Sequence, residues 1–158
     1  MNKLKVFKNV FLEEFSKIQS LEGPSYLYDP IKYFIKSPGK RLRPIIVLFL
    51  GELFQNNKED SINGALGVEL LHNFTLVHDD IMDDAPMRRG KQTVHEKWSV
   101  NTGILSGDAM LVKAYQSLEA YPDELFAKLL LKSNLFKTTK LVHIYEIIIL
   151  KKLKLLNN

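Results

Sequence analysis

A long apolar segment of this chain ends in a cluster of acidic residues, and this junction constrains the fold more than any other feature. The segment Leu70–Lys91 has the sequence LLHNFTLVHDDIMDDAPMRRGK, in which four aspartates follow an apolar run and precede two arginines. Like charges at the end of an apolar helix repel one another and are costly to remove from water unless cations neutralise them. The junction therefore predicts a helix end that binds a cation.

Two of these aspartates lie on the same helical face. Asp79 and Asp83 are four residues apart, which places them about 6 Å apart along one side of a helix. His72, seven residues before Asp79, returns to nearly the same stripe. Mg²⁺ usually binds one or two carboxylates together with waters and substrate phosphates, so this face predicts a Mg²⁺–polyphosphate site that also includes Asp80. Asp84 is expected to point toward solvent.

Basic residues flank the predicted site on both sides. Pro86 disfavours helix at Ala85, which puts Arg88 and Arg89 on a loop just beyond the acidic face. Two adjacent arginines point in different directions and could serve two ligands. Upstream, the run 39–44 has the sequence GKRLRP and begins a second apolar segment. Arginine binds phosphate oxygens bidentately, so this run is either the solvated end of a helix or a diphosphate cradle.

Two further polar residues interrupt apolar segments. His78 lies about 100° around the helix from Asp79, so a packing role is predicted for it. Asp108 follows Gly107 within an apolar helix. It would either orient a metal ligand or make a structural hydrogen bond.

Helical periodicity dominates the chain, and no segment alternates with a period of two. Helices are predicted over 3–20, 25–36, 41–54, 62–84 and 102–120, with one further turn at 94–100. Asp60 or Ser61 is predicted as the N-cap of the fourth helix, and Asn101 as that of the last. The fourth helix is apolar on more than one side, so we expect it to lie centrally in an all-α bundle.

Composition excludes several classes of protein. The 158 residues are 46% hydrophobic and 25% charged, as in an ordinary globular domain, and they include no cysteine. A disulfide scaffold, a cysteine zinc site and thiol catalysis are thereby excluded. The N-terminus does not resemble a signal peptide, and no apolar run approaches the length of about 18 residues that a membrane span requires. We therefore expect no transmembrane segment and a cytoplasmic location.

The positive net charge of the chain is concentrated in its last residues. From Lys128 onward there are seven lysines and one acid, Glu146, whereas the chain as a whole carries +4. The preceding part is therefore slightly acidic, and a nucleic-acid partner is not expected. The biased tail after Ser133 could be a basic amphipathic helix for a membrane surface. Alternatively, it could be a segment under little functional constraint, or one read in the wrong frame.

Three motifs together resemble the trans-isoprenyl diphosphate synthases, the family of the farnesyl and geranylgeranyl diphosphate synthases. They are GKRLRP, then ELLHNFTLVHDDIMDDAPMRRGKQTVHEKW, then LSGDAML. The resemblance covers roughly residues 1–132, as the N-terminal half of a synthase domain, and leaves 133–158 as a divergent basic tail. It implies an isoprenoid-synthase-type helical bundle around a deep apolar cavity, truncated to its N-terminal helices. Members of the family are usually homodimers.

The resemblance also implies substrates and the residues that bind them. The chain would act as a prenyltransferase that condenses isopentenyl diphosphate with an allylic diphosphate. Asp79, Asp80 and Asp83 would hold Mg²⁺ that bridges the allylic diphosphate, and Arg88 would contact the same diphosphate. The residues that would bind isopentenyl diphosphate are Lys40, Arg43, His72 and Arg89.

In this family, side chains four and five residues before the first aspartate limit the length of the product. Here they are Thr75 and Phe74. A large Phe74 would block part of the cavity floor, which suggests a short product of the farnesyl or geranylgeranyl class.

The sequence departs from the family pattern after the first acidic motif. Family members carry a second aspartate-rich motif on a later helix, whereas only Asp108 and Asp123 follow Asp84 here. We therefore expect a truncated or frame-shifted form with little activity in the condensation of isopentenyl and dimethylallyl diphosphates.

Two other functions are compatible with the same motifs. Terpene cyclases also ionise diphosphates with an acidic Mg²⁺ motif, but they need no second cradle, so GKRLRP together with RRGK argues against them. A non-catalytic partner of a complete synthase would be expected to have lost the acidic motif, which this chain retains.

Overall fold

Helices and one short hairpin make up the part of the chain that this computed structural model describes, residues 3–18, 22–119 and 121–122. The helices are α1 (Lys3–Lys17), α2 (Ser25–Ile35), α3 (Leu42–Leu53), α4 (Lys58–Met82), α5 (Val94–Lys97) and α6 (Val100–Leu118). The hairpin joins β1 (Met87–Arg88) to β2 (Lys91–Gln92). The predicted helical bundle is confirmed. The predicted basic tail, 133–158, lies outside the described residues.

Helix α4 occupies the centre of this bundle, as predicted from its several apolar sides. It packs most extensively against α6 and α3, and it also contacts α1 and α5. Its buried residues include Leu70 and Val77, which join a core shared with Phe11 of α1 and Val47 of α3. Because its neighbours cover it on several sides, its C-terminal end is positioned against the rest of the bundle.

Helix α3 begins with a proline that its first turn tolerates. Pro44 is the third residue of the helix, where the missing N–H would have had no partner within the helix. Arg41 precedes the helix with φ 53° and ψ 35°, in the left-handed region. The apolar run after the basic motif is a helix, as predicted.

Both predicted N-caps were wrong. Helix α4 begins four residues before the predicted start, with Asn57 as its N-cap, and the Asn57 side chain accepts a hydrogen bond of 2.9 Å from the backbone N–H of Glu59. Ser99 rather than Asn101 caps α6, and its hydroxyl accepts from the Thr102 N–H at 3.1 Å. In each case an earlier polar residue satisfies the free N–H groups, so the helix begins sooner.

Two glycines allow α4 and α6 to approach closely. A Cβ atom on Gly67 of α4 would lie 2.9 Å from Leu118 Cδ2 and 3.3 Å from the Ala114 carbonyl oxygen. A Cβ atom on Gly107 of α6 would lie 2.4 Å from His78 Nε2. The apolar contact between the two helices therefore depends on small residues on both of them.

A buried ion pair joins the start of α3 to the middle of α4. The Arg41 guanidinium, in a residue only 8% exposed, is paired with the Glu69 carboxylate, in a residue 3% exposed. Arg41 also donates hydrogen bonds to the carbonyl oxygens of Ile35 at 2.8 Å and Ser37 at 3.0 Å, and it lies over the Phe15 ring. These contacts hold Arg41 in its left-handed conformation and fix the α2–α3 connection on α4.

We expect that Arg41→Met lowers the free energy of unfolding by about 3–5 kcal/mol, because it leaves the buried Glu69 carboxylate without its partner. Urea unfolding followed by circular dichroism measures this change. Lys3→Met, which breaks the exposed pair between Lys3 and Glu52, is the control and should cost about 0–1 kcal/mol. Equal losses in the two variants would contradict a structural role for the buried pair.

Among the helices of the described residues, none combines the length and the apolar character needed to cross a bilayer.

Candidate functional site

The acidic cluster lies at the C-terminal end of α4, as predicted. Asp79 is half-buried, Asp80 is 1% exposed, and Asp83 is exposed at the C-cap position. The C-terminal end of a helix carries partial negative charge, so carboxylates there are unfavourable unless a cation is nearby. Both the backbone and the carboxylate side chains of this helix end therefore attract cations.

Helix α4 ends in a Schellman motif. The Ala85 N–H donates to the Asp80 carbonyl oxygen at 2.9 Å, and the Asp84 N–H donates to that of Ile81 at 3.2 Å. Asp84 has φ 47°, at the position where glycine is most common. The chain then turns sharply at Pro86 and enters the hairpin.

Asp80 is hydrogen-bonded to Arg88. Arg88 Nε donates to Asp80 Oδ1 at 2.6 Å, whereas Asp80 Oδ2 is buried without a hydrogen-bond partner among the described residues. Burial raises the pKa of Asp80, and Arg88 partly offsets that effect. Within the described residues, Asp79, Asp80 and Asp83 do not each present a ligand atom within 4.8 Å of the other two. Asp80 therefore holds Arg88 beside the acidic end.

The two arginines predicted on a loop belong to the hairpin. Met87 pairs with Gln92 and Arg88 with Lys91 in antiparallel register. Arg89 and Gly90 form the turn with φ angles of 54° and 78°, which is typical of a tight turn with two left-handed residues. The strands are two residues long, so the sequence shows no alternation that could have predicted them.

This hairpin places the two arginines at different sites. Arg88 contacts Asp80, whereas Arg89 Nη1 donates to the Pro38 carbonyl oxygen at 2.8 Å. A Cβ atom on Gly39 would lie 2.9 Å from Arg89 Nη1, so glycine leaves room for the guanidinium. One turn of chain therefore supplies a cation to the acidic end of α4 and another to a neighbouring pocket.

That pocket has a volume of about 680 Å³ and lies between the α2–α3 connection and α4. It contains all four residues predicted to bind isopentenyl diphosphate, Lys40, Arg43, His72 and Arg89. Lys8 of α1, which the sequence analysis did not identify, and the buried pair of Arg41 and Glu69 complete its charged lining. Five cationic side chains face one carboxylate, and that carboxylate is already paired. The pocket therefore carries a net positive charge, as a site that binds anions would.

His72 is neutral in this pocket at neutral pH. Arg43 Nη1 lies 3.0 Å from His72 Nε2, and since arginine can only donate, Nε2 accepts and the proton is on Nδ1. Burial lowers the pKa of His72 from 6.5 to about 4, and Arg43 and the other arginines add to this effect. His72, the expected phosphate donor, thus accepts a hydrogen bond from Arg43.

The residues predicted to limit product length lie in the middle of α4. Phe74 and Thr75 are half-buried, and the Thr75 hydroxyl donates to the His72 carbonyl oxygen at 2.8 Å. The Phe74 ring lies 4.6 Å, centroid to centroid, from that of His78. His78 packs against Gly107 as expected, with its Nε2 3.6 Å from Asp108 Oδ1.

One group of potential metal ligands was not found from the sequence. Asp84, His95 and Glu96 each offer a ligand atom within 4.8 Å of the other two. His95 and Glu96 are adjacent on α5, and Asp84 lies in the turn after α4. Eleven positions separate the aspartate from the histidine, so only the course of the hairpin brings them together.

We expect the free energy of unfolding to fall as the pH is lowered from 6.5 to about 4. In this range the unfolded chain takes up a proton on His72, whereas the folded chain, with the lowered pKa, does not. Urea unfolding at several pH values measures this slope. In His72→Gln the slope should be smaller, and an unchanged slope would contradict the assignment.

Comparisons with known proteins point to one protein family. The sequence model of the family described as Polyprenyl synthetase matches residues 24–150. The chain is 44% identical over 110 residues to the geranylgeranyl pyrophosphate synthase of Geoglobus acetivorans. The aligned region covers 70% of this chain and 34% of that protein. It is also 34% identical over 113 residues to the farnesyl diphosphate synthase of Bacillus subtilis. That alignment covers 70% of this chain and 38% of the synthase.

A solved structure shows the same arrangement of helices. The crystal structure of a geranylgeranyl pyrophosphate synthase superposes with a TM-score of 0.75 and 50% identity, over 82% of this chain and 39% of that chain. The chain thus spans between 34% and 39% of the length of these relatives.

Proposed function

Because the chain belongs to the polyprenyl synthetase family, we propose that it forms the diphosphate-binding part of a prenyltransferase. The reaction condenses isopentenyl diphosphate with an allylic diphosphate. One observation carries the proposal: Arg88 and Arg89, adjacent on one hairpin, supply cations to two separate sites. A condensation of two diphosphates needs two such sites.

The acidic end of α4 takes the allylic diphosphate through Mg²⁺. Asp79 and Asp83 lie one helical turn apart, and Asp80 adds a buried oxygen, Oδ2, without a hydrogen-bond partner among the described residues. This all-oxygen donor set fits Mg²⁺, which takes few carboxylates and completes its shell with water and phosphate oxygens. Arg88, which is hydrogen-bonded to Asp80, would contact the same diphosphate.

The basic pocket takes isopentenyl diphosphate. Lys40, Arg43 and Arg89 supply positive charge, and Lys8 adds another cation. Burial is the main cause of the lowered His72 pKa, and the arginine charges add to it. A bound diphosphate would offset those charges and so raise the His72 pKa, which favours a protonated His72 that donates to a phosphate oxygen. No metal is needed in this pocket.

In the proposed reaction, one site binds the leaving group and the other positions the attacking substrate. Mg²⁺ supplies Lewis-acid stabilisation to the departing diphosphate when it is bound. Arg88 binds the same leaving group, and the residues of the basic pocket hold isopentenyl diphosphate so that its double bond can attack the allylic carbon. The isopentenyl unit then loses a proton, for which the departed diphosphate would be the acceptor. Nothing in this scheme requires a covalent nucleophile.

Product length and oligomeric state extend the same proposal. The half-buried Phe74 is a bulky side chain beside Thr75, which supports a short product of the farnesyl or geranylgeranyl class. Helix α6 exposes the apolar side chains Ile104, Leu105 and Val112, which supports association with a second copy, since large exposed apolar patches mark interfaces. The cytoplasm stays the predicted location.

We expect dimethylallyl diphosphate to bind more tightly with Mg²⁺ than with a chelator, and Asp79→Asn to remove most of this difference. A loss of about 10-fold in affinity corresponds to about 1.4 kcal/mol. Isothermal titration calorimetry measures both effects. Asp29→Asn, on the exposed side of α2, is the control. An Asp79→Asn variant that retains the full Mg²⁺ effect would refute the allylic site.

Isopentenyl diphosphate should bind without Mg²⁺, and Arg43→Gln should weaken it by about 10-fold or more, as expected when a charge-assisted hydrogen bond is lost. Lys5→Gln removes one exposed positive charge from α1 and serves as the matched control. Should the two substitutions weaken binding equally, net charge rather than the pocket would explain the affinity.

A further inference from the structure

Three side chains converge beside the acidic end of α4 without being part of either proposed diphosphate site. Asp84, His95 and Glu96 each present one ligand atom within 4.8 Å of the others. His95 Nε2 lies 3.8 Å from Glu96 Oε1. Such spacing is too long for a hydrogen bond, but an ion could bridge the two atoms.

His95 is the residue that distinguishes this group from an ordinary acidic cluster. Its side chain is 5% exposed, and neither ring nitrogen has a hydrogen-bond partner among the described residues. A buried polar group without a partner costs about 1–3 kcal/mol. Nε2 faces the Glu96 carboxylate. The imidazole is therefore placed as a ligand, because a metal ion would satisfy a nitrogen that the described residues leave unpaired.

Backbone hydrogen bonds fix the two halves of the group relative to each other. The Schellman motif holds Asp84 in its left-handed conformation. Thr93, directly before α5, donates from its hydroxyl to the Ala85 carbonyl oxygen at 2.7 Å, and its N–H donates to that of Pro86 at 3.1 Å. The turn that carries the aspartate and the helix that carries the histidine are thus joined before any ion binds.

We propose that Asp84, His95 and Glu96 form a site for a transition metal ion of the Zn²⁺ class. One imidazole nitrogen and two carboxylate oxygens are ligands that Zn²⁺ accepts, and a water would complete a tetrahedral shell. Mg²⁺ strongly prefers oxygen ligands, so the histidine discriminates against it. The site does not depend on the proposed prenyltransferase activity.

A bound ion would connect the end of α4 directly to α5. The chain between Asp84 and His95 contains the whole hairpin, including Arg88 and Arg89. The ion would therefore close this loop and hold both arginines in place. Binding to the folded state alone also raises the apparent stability of the chain.

The proposal is tested by titrating the chain with Zn²⁺ and, separately, Co²⁺ in a large excess of Mg²⁺. We expect one ion per chain by calorimetry and a Co²⁺ absorption spectrum of tetrahedral type. The double variant Asp84→Asn/Glu96→Gln should weaken binding by at least about 10-fold, the loss that follows from removing even an outer-shell partner. Both residues are exposed, so the fold should be retained, which circular dichroism verifies.

Two control variants separate this site from other possible ligands. Asp108→Asn removes the carboxylate near His78, and Asp79→Asn/Asp83→Asn removes the proposed Mg²⁺ ligands. Both should retain the Zn²⁺ affinity, and the ring nitrogens of His95 should shift in NMR spectra on addition of Zn²⁺. Unchanged affinity in Asp84→Asn/Glu96→Gln, or loss of affinity in either control, would overturn the proposal.

Discussion

Repulsion among the negative charges at the end of α4 is the constraint on which the described part of this protein depends. Four aspartates lie where the helix backbone already presents partial negative charge. Arg88 of the same chain neutralises part of this negative charge, because it binds the buried Asp80. The half-buried Asp79 and the exposed Asp83 keep carboxylates available for an external cation. The α4 terminus is therefore both an element of the fold and a candidate site.

The hairpin connects this acidic end to the basic pocket. Its left-handed turn directs Arg89 to the Pro38 carbonyl oxygen, while Arg88 remains at α4. The pocket itself is supported by Arg41, whose buried pair with Glu69 fixes the start of α3. A two-residue turn and one buried ion pair thus determine the distance between the two proposed phosphate sites. In our proposal, this is how one short basic segment supplies a cation to each of them.

Much of the fold was predictable because its helices are long and strongly periodic. Four residues of the basic pocket were named from the motifs that carry the family resemblance, whereas Lys8 was not. The starts of the helices were harder to predict, because runs of polar residues offer several possible N-caps. Asn57 and Ser99, the N-caps in the structure, precede the predicted N-cap residues. The hairpin was missed since its strands are too short to show a period. The proximity of His95 to Asp84 depends on that hairpin, so no local pattern in the sequence indicates it.

The central claim is that two diphosphates bind side by side, one with a metal ion and one without. Equilibrium competition with labelled isopentenyl diphosphate tests it most directly, with dimethylallyl diphosphate and Mg²⁺ then added to saturation. Our account predicts that the labelled molecule stays bound while the second binds with a stoichiometry of one. Displacement of the label in proportion to the second ligand would show a single shared site and contradict the account.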